Sequence, residues 1–248
     1  MASTKKQPLD ELLVKQGLAL SLTQARALIM AGEVVVDDHA IDKPGTLVAL
    51  TAQIRLKSRP GRYVSRGGTK LEKPLDTLSV DVAGKVVMDV GASTGGFTDC
   101  LLQRGARTVY AIDVGYGQLA WKLREDPRVI PLERTNICNL TAQDIPAPPD
   151  LAVIDVSFTS LKKIWPPVIA LLKPQGELLS LVKPQFEARK EDVEEGGMVR
   201  SITIYQEIMQ AMVETAHALS LHVAGIMESP IRGQKGNREF FLYAVKKA

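Results

Sequence analysis

Between Gly84 and Val182 the chain alternates short, almost wholly apolar runs with stretches of helical periodicity, and this alternation restricts the fold more than any other feature. Residues 86–90, 108–113, 151–155 and 178–182 are too short for ordinary helices and too continuously apolar for strands with one wet face. They read as parallel strands covered on both sides. Helical stretches lie between and after them at residues 97–104, 161–172 and 201–219, the last amphipathic and capped by Ser201. Strand–helix–strand order with right-handed crossovers gives an α/β, Rossmann-like, doubly wound and mostly parallel sheet. Residues 221–228 and 239–245 flank a glycine-rich loop and read as an antiparallel pair at one edge.

In front of this pattern stands a smaller α+β unit. Leu9, Leu12 and Leu13 recur at helical spacing until Gly17, and Ser21 with Gln24 resembles a capping box that opens a second helix ending at Gly32. Short strands follow at residues 34–36, 47–50 and 54–56, separated by Asp37-Asp38 and Lys43-Pro44-Gly45. The expected division is 1–58 for the small domain, 59–75 for a basic linker and entry helix, and 76–248 for the sheet domain.

Charge separates the two parts. Residues 1–75 hold 12 Lys and Arg against 7 Asp and Glu, and the rest of the chain holds 19 against 21. Arg55, Lys57, Arg59, Arg62, Arg66, Lys70 and Lys73 face Glu72 alone, a stretch suited to a polyanion or to a solvated linker. The longest nearly apolar run, residues 164–172, is interrupted by Pro166 and Pro167 and is far short of a membrane span. No secretory signal opens the chain, and Cys100 and Cys138, read as buried thiols, fit a reducing compartment, so a cytoplasmic location is expected. The three histidines lack metal-ligand spacing, and no metal is assigned.

The first strand of the sheet leads from Asp89 into Gly91-Ala92-Ser93-Thr94-Gly95-Gly96-Phe97, and the second ends at Asp113. A glycine turn between strand and helix, with an acid at the next strand tip, presents a nucleoside to backbone amides and a ribose to a carboxylate. The spacing is neither the dinucleotide fingerprint nor a Walker loop, which favours a ligand with ribose and no phosphates over a nicotinamide cofactor. S-adenosylmethionine fits, with Asp89, Gly91, Ser93, Gly95, Gly96, Phe97, Asp113, Asn136 and Asp155 as its candidate contacts.

Asp155 ends the third strand and Lys183 the fourth, at the edge where α/β sheets carry their sites. Burying a lysine there costs several kcal/mol without carboxylates close by. Asp155 and Glu239 are the available carboxylates, and Lys70 supplies a second amine. Burial and a neighbouring ammonium both favour a neutral lysine, which could take a proton from a ribose 2′-hydroxyl. The Asn/Asp-Pro-Pro-aromatic motif of base-amine methylation is missing, as is a cysteine placed for carbon methylation.

Three sets of residues carry a resemblance. The order of helix, glycine, Ser-capped helix, Leu-Ile-x-Ala-Gly, Val-x-Val and Lys-Pro-Gly over about 50 residues is similar to the RNA-binding module known from ribosomal small-subunit protein four, which implies RNA contacts from Lys15, Arg26 and Lys43. Residues 63–71, 91–99, 154–158, 181–187 and 236–240 together resemble the TlyA family, historically labelled haemolysins. Its catalytic half is similar to FtsJ-type methyltransferases, whose Lys-Asp-Lys-Glu tetrad falls on Lys70, Asp155, Lys183 and Glu239. The resemblance implies S-adenosylmethionine-dependent methylation of a cytidine 2′-oxygen in rRNA, most of all large-subunit (23S) rRNA, and in some members of a second cytidine in small-subunit (16S) rRNA. It also implies rRNA or a ribosomal subunit as partner, and the charge of the basic stretch points to Arg62 and Arg66 as residues that help dock it. A non-catalytic RNA-binding or assembly factor on the same fold is the alternative; the oligomeric state stays open.

Overall fold

The computed structural model describes residues 6–19, 21–56, 62–233 and 236–247. Lys57 and Arg59 of the basic stretch, and Gln234 of the last loop, lie outside them. The chain forms two compact units, residues 1–62 and 63–248.

The first unit comprises β1 (Lys6–Pro8), α1 (Leu9–Lys15), α2 (Leu22–Met30), β2 (Val34–Val36), β3 (His39–Ile41), β4 (Leu47–Ala49) and β5 (Ile54–Leu56). Ser21 caps α2 by accepting a hydrogen bond from Gln24 N at 3.2 Å. Leu9, Leu12, Leu13, Ala25, Ile29, Val34 and Val36 close a small core. β1 pairs with β4, and β3, β2 and β5 form a second antiparallel sheet. β1 and β3 are absent from the sequence reading. The β2–β3 hairpin turns on Asp37 and Asp38, both at positive φ (46° and 66°), the turn geometry that matches strand twist.

The second unit begins with α3 (Arg66–Thr77) and continues through β6 (Val86–Val90), α4 (Gly96–Gln103), β7 (Thr108–Ile112), α5 (Trp121–Arg124), β8 (Val129–Leu132), β9 (Leu151–Ile154), α6 (Leu161–Leu171), β10 (Glu177–Val182), α7 (Pro184–Glu187), α8 (Ile202–Ala218), β11 (Leu221–Glu228) and β12 (Phe240–Lys246). Its seven strands run in the order β11-β12-β10-β9-β6-β7-β8. β8, β7, β6, β9 and β10 are parallel, and β12 runs antiparallel between β10 and the edge strand β11.

Alternation along the strands fills two cores, one on each face. Val86, Met88 and Val90 of β6 join Tyr110, Trp165, Val168 and Met212, under α6 and α8. Val87, the intervening residue, joins Leu71, Leu75, Phe97, Leu101 and Phe241, under α3 and α4. Trp165 is fully buried, and its indole N–H donates to Ser180 Oγ at 2.9 Å, so no polar group is stranded by that burial. Among the described residues no helix is long and apolar enough to cross a membrane.

Candidate active site

At the carboxyl ends of β6, β9 and β10 the sheet opens into a cleft of about 550 Å³. Two glycines shape it. Gly91 leaves β6 with φ +90°, and a Cβ there would stand 2.5 Å from the carbonyl oxygen of Asp155. Gly96, at the first turn of α4, would place a Cβ 2.2 Å from Ser65 Oγ and 2.9 Å from Gly68 N. The start of α4 therefore lies directly against the start of α3, whose cap is Ser65. That close approach carries Arg66 and Lys70 to the cleft wall.

Two ion pairs line the same cleft, one of them buried on both sides. Lys183 Nζ is 2.6 Å from Asp155 Oδ1, an ion pair without hydrogen-bond alignment, and its directed hydrogen bond goes to Ser157 Oγ at 2.9 Å. Lys70 Nζ donates to Glu239 Oε2 at 2.7 Å. Both lysines are 8% exposed and Glu239 3%, so each charge depends on its partner. The four residues come from α3, from the ends of β9 and β10, and from the entrance to β12.

Of the residues expected to meet a cofactor, Gly91, Ser93, Gly96, Phe97 and Asp155 line the cleft. Asp89, Gly95, Asp113 and Asn136 are not among its lining residues. The Asp113 carboxylate accepts from Ser93 N and from Gly115 N, both at 2.7 Å, and so braces the glycine loop against the loop after β7. Asn136 Oδ1 accepts from Cys138 N at 3.0 Å. Cys138 is exposed, contrary to the sequence reading, and Cys100 is buried. Among the described residues no cluster of His, Cys, Asp or Glu is arranged to hold a metal ion.

Asp89 is fully buried beneath the glycine loop, where Thr98 Oγ1 donates to it at 2.6 Å. Burial pushes its carboxyl up to about 7, against the lowering effect of Thr98. The native protein therefore holds this proton over a pH range in which the unfolded chain, at about 3.9, has lost it. Its contribution to stability is fully present below that unfolded value and is lost as pH rises through about 7. Between pH 5 and 6 the expected slope from this group is about 1.4 kcal/mol of stability lost per pH unit. Asp89→Asn keeps an acceptor for Thr98 and should remove that slope, as urea unfolding at the two pH values will measure.

Of the residues expected to contact RNA, Arg66 lines the cleft, and Arg62, Lys15 and Lys43 are exposed. Arg26 is engaged at 2.8 Å by Asp10, whose carboxyl it holds below the usual range.

Three cleft residues carry roles that the sequence reading missed. Ser157 is the hydrogen-bond acceptor for Lys183. Phe158 is 92% exposed at φ +63°, and its ring centroid lies 5.3 Å from that of Phe186, giving the cleft an aromatic rim. Asn237 Oδ1 accepts from Val199 N at 3.0 Å while its Nδ2 donates to Gly197 O at 2.7 Å, tying the loop before α8 to the loop before β12. The side-by-side strand tips of Asp155 and Lys183 were the available signal for Ser157; nothing local announced the other two.

Comparison with known proteins gives consistent matches along both units. The S4 domain profile matches residues 7–54, and the FtsJ-like methyltransferase profile matches residues 63–246. The chain is 46% identical over 242 residues to YqxC of Bacillus subtilis, named as a candidate rRNA methyltransferase, covering 97% of this chain and 86% of that protein. It is 43% identical over 240 residues to the 16S/23S rRNA (cytidine-2′-O)-methyltransferase TlyA of Mycobacterium tuberculosis, covering 96% and 90%. A solved structure described as a candidate hemolysin from Streptococcus thermophilus matches with a TM-score of 0.76 at 42% identity, covering 99% of this chain and 90% of that one.

Proposed function

The chain belongs to the FtsJ-like methyltransferase family and carries an S4 domain in front, and from that premise we propose that it methylates a cytidine ribose 2′-oxygen in rRNA with S-adenosylmethionine as donor. One observation carries the reading: a lysine and an aspartate from neighbouring strand tips meet at 2.6 Å on the wall of the cleft that the glycine loop enters.

The cleft suits the donor in its chemistry. Gly91, Ser93, Thr94 and Gly96 give it a loop of backbone polar groups, and no Walker-type Gly-Lys-Ser/Thr is present to favour a triphosphate. Bound there, S-adenosylmethionine would supply a methyl group on a sulfonium. Asp113, behind the loop, holds Ser93 in place and keeps acceptor capacity for a ribose hydroxyl, since each carboxylate oxygen has two lone pairs.

Lys183 acts on the acceptor. Asp155, at 2.6 Å, and Ser157, at 2.9 Å, fix where its Nζ stands on the cleft wall. Once Nζ passes one proton to Asp155, it can take the proton of a ribose hydroxyl set against it as that oxygen becomes the nucleophile. The buried Lys70–Glu239 pair lines the same cleft and would offer a second ammonium to the developing oxyanion. Phe158 and Phe186 offer a ring face for an unpaired base, and stacking is worth about 1–3 kcal/mol per base.

The S4 domain and the rRNA methyltransferase relatives support rRNA as the partner. Transfer of tritium from methyl-labelled donor to rRNA, with mapping of 2′-O-methyl positions in rRNA from cells with and without the protein, tests the reading. Loss of one cytidine 2′-O-methylation in its absence is expected. RNA binding without any label transfer would instead favour the assembly-factor alternative.

A further inference from the structure

The chain has twelve aromatic residues, and Tyr116, Trp121 and Phe158 are the three that stand exposed, at 68%, 71% and 92%. All three follow parallel strands at the carboxyl edge of the sheet, although only Phe158 lines the cleft. Exposed aromatic side chains on one rim of a sheet require a reason, because the remaining nine are buried or half-buried.

Tyr116 is paired with a cation. The guanidinium of Arg134, from the loop after β8, lies 4.0 Å from its ring centroid. Neighbouring cations are neutralised: Arg124 pairs with Glu133, and Lys122 with Asp99 at 2.9 Å. No carboxylate among the described residues lies within ion-pair distance of Arg134. The pair is also held rigidly. Asp113 receives the Gly115 N–H, Arg134 N donates to Gly115 O at 2.9 Å, and Arg134 itself sits at φ +52°. Trp121 begins the next helix beside Ala120, whose N–H donates to Thr94 O at 3.1 Å, and Thr94 lines the cleft.

We infer that Tyr116 and Arg134 form a second docking point for single-stranded RNA, outside the cleft, which receives a base on the aromatic–guanidinium surface and a phosphate at the free guanidinium edge. Unpaired RNA is the partner that needs both a flat π surface and a localised positive charge, whereas a purely apolar partner would strand the charge. The inference rests on RNA being the substrate, but its test does not require catalysis.

The measurement is fluorescence anisotropy of a labelled single-stranded oligocytidylate with the full chain, alongside calorimetry of S-adenosylmethionine. Tyr116→Ala and Arg134→Ala should each weaken oligonucleotide binding about 10-fold, Tyr116→Phe should stay within about 2-fold, and cofactor affinity should be unchanged. Undiminished RNA binding in both alanine variants, or no binding by the wild type, would overturn the inference. So would a loss of cofactor affinity as large as the loss of RNA affinity, which would make the pair a cover for the cofactor's adenosine. A wild type that binds RNA through Tyr116 yet methylates no rRNA would refute the proposed activity and leave this surface standing.

Discussion

Lys183→Ala is expected to lower the rate of methyl transfer about 10³-fold, the middle of the range for removal of a positioned general base. The fold should survive, since the site lies at a strand tip and the variant removes one partner of a pair whose other member, Asp155, is only partly buried. RNA affinity should stay near the wild-type value, because the basic residues of the first unit and the Tyr116–Arg134 surface are untouched. Single-turnover transfer of tritiated methyl, measured with protein in excess over RNA and compared with steady-state kinetics, separates the chemical step from binding. Wild-type transfer by the variant would remove Lys183 from the chemistry. A loss confined to KM would reassign it to RNA contact.

The largest expected effect on stability comes from the other pair. Lys70→Ala leaves the Glu239 carboxylate almost fully enclosed without its cation, and breaking a buried pair this way costs about 3–5 kcal/mol. For a chain of this size that corresponds to a fall in Tm of roughly 10 °C. The double variant Lys70→Met with Glu239→Leu removes both charges and should recover most of the loss in thermal melting while remaining inactive. Such a split between recovered stability and absent activity is the signature of a pair retained for function. If the single variant melted with the wild type, the pair would be solvated in solution and the enclosed geometry would be wrong.

The sheet was legible because each buried strand is a run of branched and aliphatic residues: Val86–Val90 and Leu151–Ile154 announce burial on both faces without any help from context. β8 was not, since Ile130 and Pro131 face solvent and leave no apolar period to read. β3 was hidden for the same reason, with His39 and Ala40 exposed. In the site, Asp155, Lys183 and Glu239 stood out because charged residues at the ends of apolar strands, or in front of them, are costly without partners, whereas Lys70, on a helix, joined them through the family resemblance. The secondary roles were less visible. Asn237 acts on backbone groups about 40 positions earlier in the chain, and the left-handed turn at Phe158 reflects no local preference of phenylalanine. Asp113 shows how an acid at a strand tip can have a duty that spacing does not reveal, bracing two loops through its carboxylate.

The position of β12 has a consequence for biogenesis. It is threaded between β10 and β11, which share no hydrogen bonds with each other, and Glu239 stands at its entrance. Translation delivers this acid after Lys70, Asp155 and Lys183, so a nascent chain that ends before it lacks both the counter-charge of Lys70 and an inner strand of the sheet. Such a precursor leaves β11 without a neighbour, because β12 is the strand that joins it to β10.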